Sequence, residues 1–318
     1  MESVMQLVIA GGVGAARFLE GVVQAVPAES VCAVVNTGDD MQMHGLHIAA
    51  DIDIVISTLA GIIDQQQGWG IVGDTDECMN WLGRLGAPTW FKLGDRDLAL
   101  HIRRTARLRE GATLTQVSEE MRRALGVGVQ IQPMSDDPAP THIVTPAGEL
   151  HFEEYFVRER CAPHVLAVKL HAAGPARPAP GLLTQIAAAE TVLFAPSNPV
   201  VSIGPILLLP GVRTALQQTA APVIAVSPLV GGQAIKGPAV ALMQAVGMRP
   251  DALGIAEAYR DLLDGLVIDH ADAGLAPAIR ELGIAVTVTD TIMRGPQEKR
   301  ALAEAALALA ADVRNARR

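Results

Sequence analysis

Several short stretches of this chain carry side chains that could do chemistry together. The first is NTGDD, residues 36–40, where two adjacent carboxylates follow the apolar run VCAVV. Charge at the exit of a buried strand needs a partner, water or a ligand. Three chemistries fit the pair: a solvated turn, a hook for a ribose hydroxyl, or oxygen ligands for a hard cation. HIAADIDIVISTLAG then adds Asp51 and Asp53. On a strand these two would share a face. On the helix expected here, residues two apart diverge, so only one of them can point at a common ion. Acids in a first helical turn also suit the helix dipole without any ligand.

Other stretches offer complementary groups. LVIAGGVGAARFL reads as strand, glycine turn and helix start, with Gly11, Gly12 and Gly14 allowing close approach of a ligand to backbone N–H groups. It is neither G-x-G-x-x-G nor a P-loop, and a tight turn without a ligand fits it equally. APSNPVVSIGPILLLPG empties a strand into Ser197, Asn198 and Ser202, a ready cradle for phosphate or sugar. AVSPLVGGQAIKGPA repeats the logic and brings Lys236. KLGDRDLALHIRRT sets Lys92, Asp95, Arg96 and Asp97 beside a glycine, where helix capping with surface ion pairs is the simpler reading. No serine sits in a G-x-S-x-G elbow, which argues against a hydrolase triad.

These groups need a scaffold, and the apolar patterning supplies one. Strands are expected at 6–10, 31–36, 191–195, 223–227, 266–269 and 284–288, alternating with helices at 15–24, 213–219, 238–246, 253–263, 273–282 and 295–315. That alternation predicts an α/β fold: a Rossmann-like, mostly parallel sheet with helices on both faces. Residues 141–157 alternate around a P-A-G-E turn and read as an antiparallel hairpin. Residues 97–125 read as helical, and Arg103, Arg104, Arg107, Arg109, Arg122 and Arg123 as its solvated face. The division expected is a nucleotide-binding core over 1–84 and 181–318, with a smaller inserted α+β substrate lobe over 85–180.

Composition narrows the partners. A net charge of −9 and an aromatic content of 3% disfavour a nucleic-acid surface. An anionic substrate would then need local cations or a metal ion. Three widely spaced cysteines suggest a reducing compartment without a disulfide framework. With no basic leader and no apolar run of membrane-spanning length, a soluble cytoplasmic protein is expected.

The motifs together resemble the 2-phospho-L-lactate transferase family of deazaflavin coenzyme F-420 biosynthesis. GGVGAARFL, VVNTGDDMQMHGL, DIDIVISTLAG, GWG, LGDRDLALHIRRT, PMSDD, APSNPVVSIGPIL, AVSPLVGGQAIKGPA and DTIM recur in order over essentially the whole chain. AADID departs from the family's usual Pro-Asp-Leu-Asp, and Ile54 stands where Thr is typical. The resemblance implies transfer of a phospho-acid (2-phospholactate, phosphoenolpyruvate or 3-phosphoglycerate) from a GDP-activated donor to the ribityl hydroxyl of the deazaflavin Fo, releasing GMP. It implies a magnesium cofactor on Asp39 and Asp53, with Asp40 and Asp51 as supporting acids. Asp39, Asp53 and Lys92 become the catalytic candidates, with Asp51, Asp53 and Lys92 near the substrates. Gly12, Gly14, Ser197, Asn198, Ser202 and Lys236 become the nucleotide side, and a homodimer is a family expectation. Two rivals are a non-catalytic nucleotide-sugar-binding regulator of related fold and an NAD-dependent oxidoreductase. LGDRD and SNPVVSIGPIL favour the transferase over the first, and the missing Rossmann fingerprint disfavours the second.

Overall fold

The computed structural model describes residues 5–317. Its central sheet has seven strands: β1 (Gln6–Ala10), β2 (Val31–Val35), β3 (Gln130–Pro133), β4 (Thr191–Phe194), β5 (Val223–Val226), β6 (Gly265–Asp269) and β7 (Ala285–Thr289). All pairings are parallel, in the order β7-β6-β5-β4-β1-β2-β3. The six strands expected from sequence form within one residue of their predicted ends. β3 was not among them. It is a four-residue edge strand, QIQP, whose glutamines dilute the apolar signal and whose proline suits a sheet edge.

Helices cover both faces, which is why β1 and β2 are apolar at nearly every position instead of alternating. Val8 and Ala10 face a layer containing Phe18 and Leu19 of α1 (Gly12–Ala25), Ile52 of α2 (Ala50–Leu59) and Leu302 of the C-terminal helix Pro296–Ala316. Leu7 and Ile9 face the opposite layer, with Ile186, Ile206 and Leu242. Full burial of one such Leu or Ile contributes roughly 2 kcal/mol. Gly21 lets α1 meet the C-terminal helix closely, since a Cβ there would stand 2.0 Å from the carbonyl oxygen of Lys299.

Sheet order outward from β1 runs through β2 to β3 and then resumes on the other side at β4. The chain therefore reverses direction between β1 and β4, opening a crevice beyond their carboxyl ends where such folds bind ligands. The stretch 85–180 contributes β3 to this sheet and helices α3 (Asp95–Arg109) and α4 (Leu114–Ala124). It also holds a separate antiparallel sheet of His142–Thr145, Gly148–His151 and Ala167–Lys169. The expected hairpin thus pairs only as far as His151; residues Glu154–Arg158 form a wide helical turn, with Tyr155 buried. Among the described residues, no single helix is long and apolar enough to cross a membrane.

Candidate active site

The crevice is built first from backbone. Ser197, just after β4, accepts from the Gly11 N–H at 3.2 Å and donates its hydroxyl to the Gly11 carbonyl at 2.8 Å. This pair ties the exits of β1 and β4 together. Gly12 adopts φ +73°, where a side chain would be strained. Asn198 caps the following turn, its Oδ1 accepting from the N–H groups of Val200 (2.9 Å) and Val201 (3.3 Å). Ser202 is buried beneath Gly11, whose Cβ, if present, would sit 2.7 Å from that of Ser202. Of the loop residues read from sequence as ligand contacts, Gly12, Gly14, Ser197, Asn198 and Ser202, the last four also pack or cap these two loops.

The acids gather at the exit of β2. Asn36 orders them: its Oδ1 accepts from Gly38 N–H at 2.8 Å and its Nδ2 donates to Asp51 Oδ2 at 3.0 Å. Asp39 and Asp51 are almost fully buried, at 5% and 4% exposure. Burial, then the charges of Asp51, Glu153 and Asp40, hold the Asp39 carboxyl well above the usual carboxylate range. Burial pushes Asp51 up to about 7, opposed by its bond from Asn36. Asp40 is raised by burial too, although His47 opposes this with an Nε2–Oδ2 contact of 2.9 Å. Glu153, at the start of the helical turn after the small hairpin, is pushed up to about 8 by burial and by the Asp51 and Asp40 charges. No sequence pattern singles out Glu153; only the packing of the hairpin against NTGDD brings it in. That packing is direct, with Thr141 N–H donating to the Gly38 carbonyl at 2.7 Å and His151 Nε2 lying 3.2 Å from the Asp40 carbonyl.

Asp51 and Asp53 diverge as their helical spacing requires. Asp51 faces Asn36 and Gly12, whereas Asp53 pairs with Arg104. Arg104 is fully buried, so it departs from the solvated arginine face expected of α3, because Asp53 and the His47 carbonyl draw it inward. Its Nη1 lies 3.1 Å from His101 Nδ1, and burial lowers the His101 pKa to about 4. A neutral His101 accepting from Arg104 at Nδ1 has no proton there for Asp53, so their 3.4 Å approach is no ion pair.

Among the described residues, three buried carboxylate oxygens of these acids lack any hydrogen-bond partner: Asp39 Oδ1, Asp40 Oδ1 and Asp53 Oδ2. Hard oxygen donors left uncommitted beside raised carboxyls are the chemistry a magnesium ion neutralises. Among the described residues no three acidic, His or Cys side chains converge as a complete cage. A magnesium ion here would have to be held by one or two carboxylates, with water and substrate phosphate completing its shell.

Two further motifs carry residues read from sequence as substrate contacts. Lys92 is half-exposed, 3.2 Å from Asp76. In LGDRD, Asp95 accepts from Cys78 N–H at 2.9 Å at the start of helix Glu77–Arg84, while Asp74 accepts from Arg96 N–H at 2.9 Å at the start of α3. Each helix is thus capped by an acid preceding or opening the other, the capping role that spacing favoured. Lys236 reaches the Gln67 carbonyl at 2.8 Å, beside Arg17 of α1. Burial and the Arg17 charge lower its pKa.

Comparison with known proteins fits this architecture. The family described as 2-phospho-L-lactate transferase CofD matches residues 7–309. A phosphoenolpyruvate transferase of Streptomyces griseus is 41% identical over 314 residues, covering 97% of this chain and 99% of its own. A 2-phospho-L-lactate transferase of Methanosarcina acetivorans is 37% identical over 298 residues, covering 94% and 96%. A UPF0052 family protein of Bacillus halodurans, solved by crystallography, superposes with a TM-score of 0.62 at 17% identity, over 96% of this chain and 99% of its own. That last likeness bears on the fold alone.

Proposed function

We propose a reaction from one premise: this chain belongs to the 2-phospho-L-lactate transferase CofD family and is a transferase. The activity is transfer of a phospho-acid from a guanosine-diphosphate-activated donor to the deazaflavin Fo, in coenzyme F-420 biosynthesis. The terminal ribityl hydroxyl attacks the phosphorus that carries the acid. A new phosphodiester bond forms, the bond to the guanylate oxygen breaks, and GMP leaves as the hydroxyl proton is lost.

The observation that carries this reading is the trio of unpartnered buried oxygens on Asp39, Asp40 and Asp53. Phosphoryl transfer requires positioning and charge neutralisation more than covalent help. Asp39 and Asp53 would hold the magnesium ion, with Asp40 and Asp51 in support. When bound, magnesium neutralises charge on the donor phosphates, which lets a chain of net charge −9 take an anionic substrate. Backbone N–H groups at the start of α1 suit the donor's phosphates, and Lys236 beside Arg17 adds positive charge close to them. Lys92, half-exposed and paired with Asp76, is assigned to the acceptor by its place in the family motif.

The relatives divide by the acid in their names, phosphoenolpyruvate in one and 2-phospholactate in the other. The test is incubation with Fo, magnesium and equal amounts of the guanosine donors of phosphoenolpyruvate, 2-phospholactate and 3-phosphoglycerate. GMP release with a single coupled deazaflavin product is the expected outcome. No GMP from any donor would refute the reaction.

A further inference from the structure

Arg104 has no solvent exposure, and an unpaired guanidinium at such a site would be strongly disfavoured. Its charge is answered by Asp53, whose Oδ1 accepts from Nη2. Nη1 reaches the His47 carbonyl at 3.2 Å and His101 Nδ1 at 3.1 Å. His47 in turn touches Asp40 through its ring, at 2.9 Å. One side chain on α3 therefore bridges α2 to the short antiparallel hairpin of Met41–Met43 and Leu46–Ile48 that follows NTGDD. The bond to Asp53 is also selective within the carboxylate: Oδ1 is occupied, and Oδ2 is left buried with no partner.

We propose that Arg104 is a positioning residue for the transfer, clamping Asp53 by one oxygen so that the other is presented, in fixed orientation, to the reacting groups. This rests on the assignment of Asp53 to the reaction made above. A planar guanidinium with donors to three different elements restricts rotation in a way a flexible ammonium does not. His101 supports the clamp from α3, its Nδ1 lying 3.1 Å from Nη1.

The test is a double-mutant cycle of Arg104→Met, Asp53→Asn and their combination, with Arg104→Lys alongside. Thermal midpoints without metal report folding, and kcat and KM for both substrates are measured below the lowest midpoint. Arg104→Met should lower kcat at least about tenfold with KM for the donor within roughly threefold, while Arg104→Lys retains an intermediate kcat. In the Asp53→Asn background, Arg104→Met should change kcat by less than about twofold, because the residue it acts through is already gone. The double variant should melt above either single one, each of which leaves a buried charge unpaired. A wild-type kcat in Arg104→Met, or full additivity in the cycle, would overturn the positioning role. A wild-type kcat in Asp53→Asn would remove Asp53 from the reaction, and this role of Arg104 with it. If Arg104→Met does not fold, Arg104→Lys and the double variant carry the same comparison.

Discussion

A Cβ built on Gly14 would stand 2.4 Å from the carbonyl oxygen of Pro196, closer than side-chain carbon can approach. The glycine loop after β1 and the Ser-Asn loop after β4 are therefore one packed unit, 186 residues apart where Gly11 meets Ser197. Gly14→Ala must push them apart. Overpacking of this kind costs about 1–3 kcal/mol, and GDP affinity should fall with it. Thermal unfolding and calorimetric GDP titration test both effects. Wild-type stability in Gly14→Ala would contradict the close approach.

The acid cluster should make the metal-free protein sensitive to alkali. Burial raises Asp51 to about 7 and Glu153 to about 8, from ordinary values of 3.8 and 4.5. Raised carboxyl pKa values mean that the fold favours the protonated forms. Their contribution to stability is complete below the unfolded values and is lost as pH rises through 7 to 8. In chelator, stability should drop from about pH 5 to 8 by on the order of 1 kcal/mol per pH unit per group, Asp51 ceasing to contribute above about 7 and Glu153 above about 8. Saturating magnesium should flatten that slope, since the cation replaces the protons. A midpoint that stays level or rises in chelator over this range would rule out the clustered acids as its source.

The acids at NTGDD and DID lie where their spacing predicts, on a strand exit and a first helical turn, because local sequence decides both. Their partners were hidden. Arg104 has the same sequence neighbourhood as Arg103 and Arg107, which pair with Glu120 at the surface. Only the rotation of α3 against α2 separates a buried clamp from a solvated face. Glu153 and His151 reach the site through a hairpin whose docking no local pattern encodes. Likewise the tie between the Ser197 hydroxyl and Gly11 follows from strand order, which no local pattern encodes. Long-range pairing was legible only as a fold class.

Asp39 and Asp53 should separate cleanly under the same substitution. Asp39→Asn replaces a buried carboxyl that ionises only against burial and three neighbouring acids, so the metal-free protein should be as stable or more so. Asp53→Asn removes the partner of Arg104, and breaking a buried pair costs about 3–5 kcal/mol. Both should lower turnover at least about a hundredfold, the loss typical of one key electrostatic group. Chemical denaturation and steady-state rates on the two variants check this. Equal destabilisation of both would show that Asp39 is paired in a way the structure does not contain.

Donor binding should depend on magnesium far more than acceptor binding does. Asp39, Asp40, Asp51 and Glu153 all lie in or at the wall of one crevice, and the donor brings several negative charges to it. One carboxylate facing one phosphate charge at about 6 Å repels by roughly 3 kcal/mol at an effective dielectric of 20. A bound cation reverses the sign of that interaction, so GDP affinity should rise steeply across a magnesium series. Fo carries little charge and gains nothing comparable. Asp39→Asn should flatten the GDP curve, since a repulsive charge and a metal contact vanish together. Calorimetry for GDP and fluorescence for Fo across the same series provide the measurement. If Fo proved the more magnesium-dependent of the two, the cation would belong to the acceptor side, and Asp39 would face the hydroxyl that attacks instead of the phosphate that is attacked.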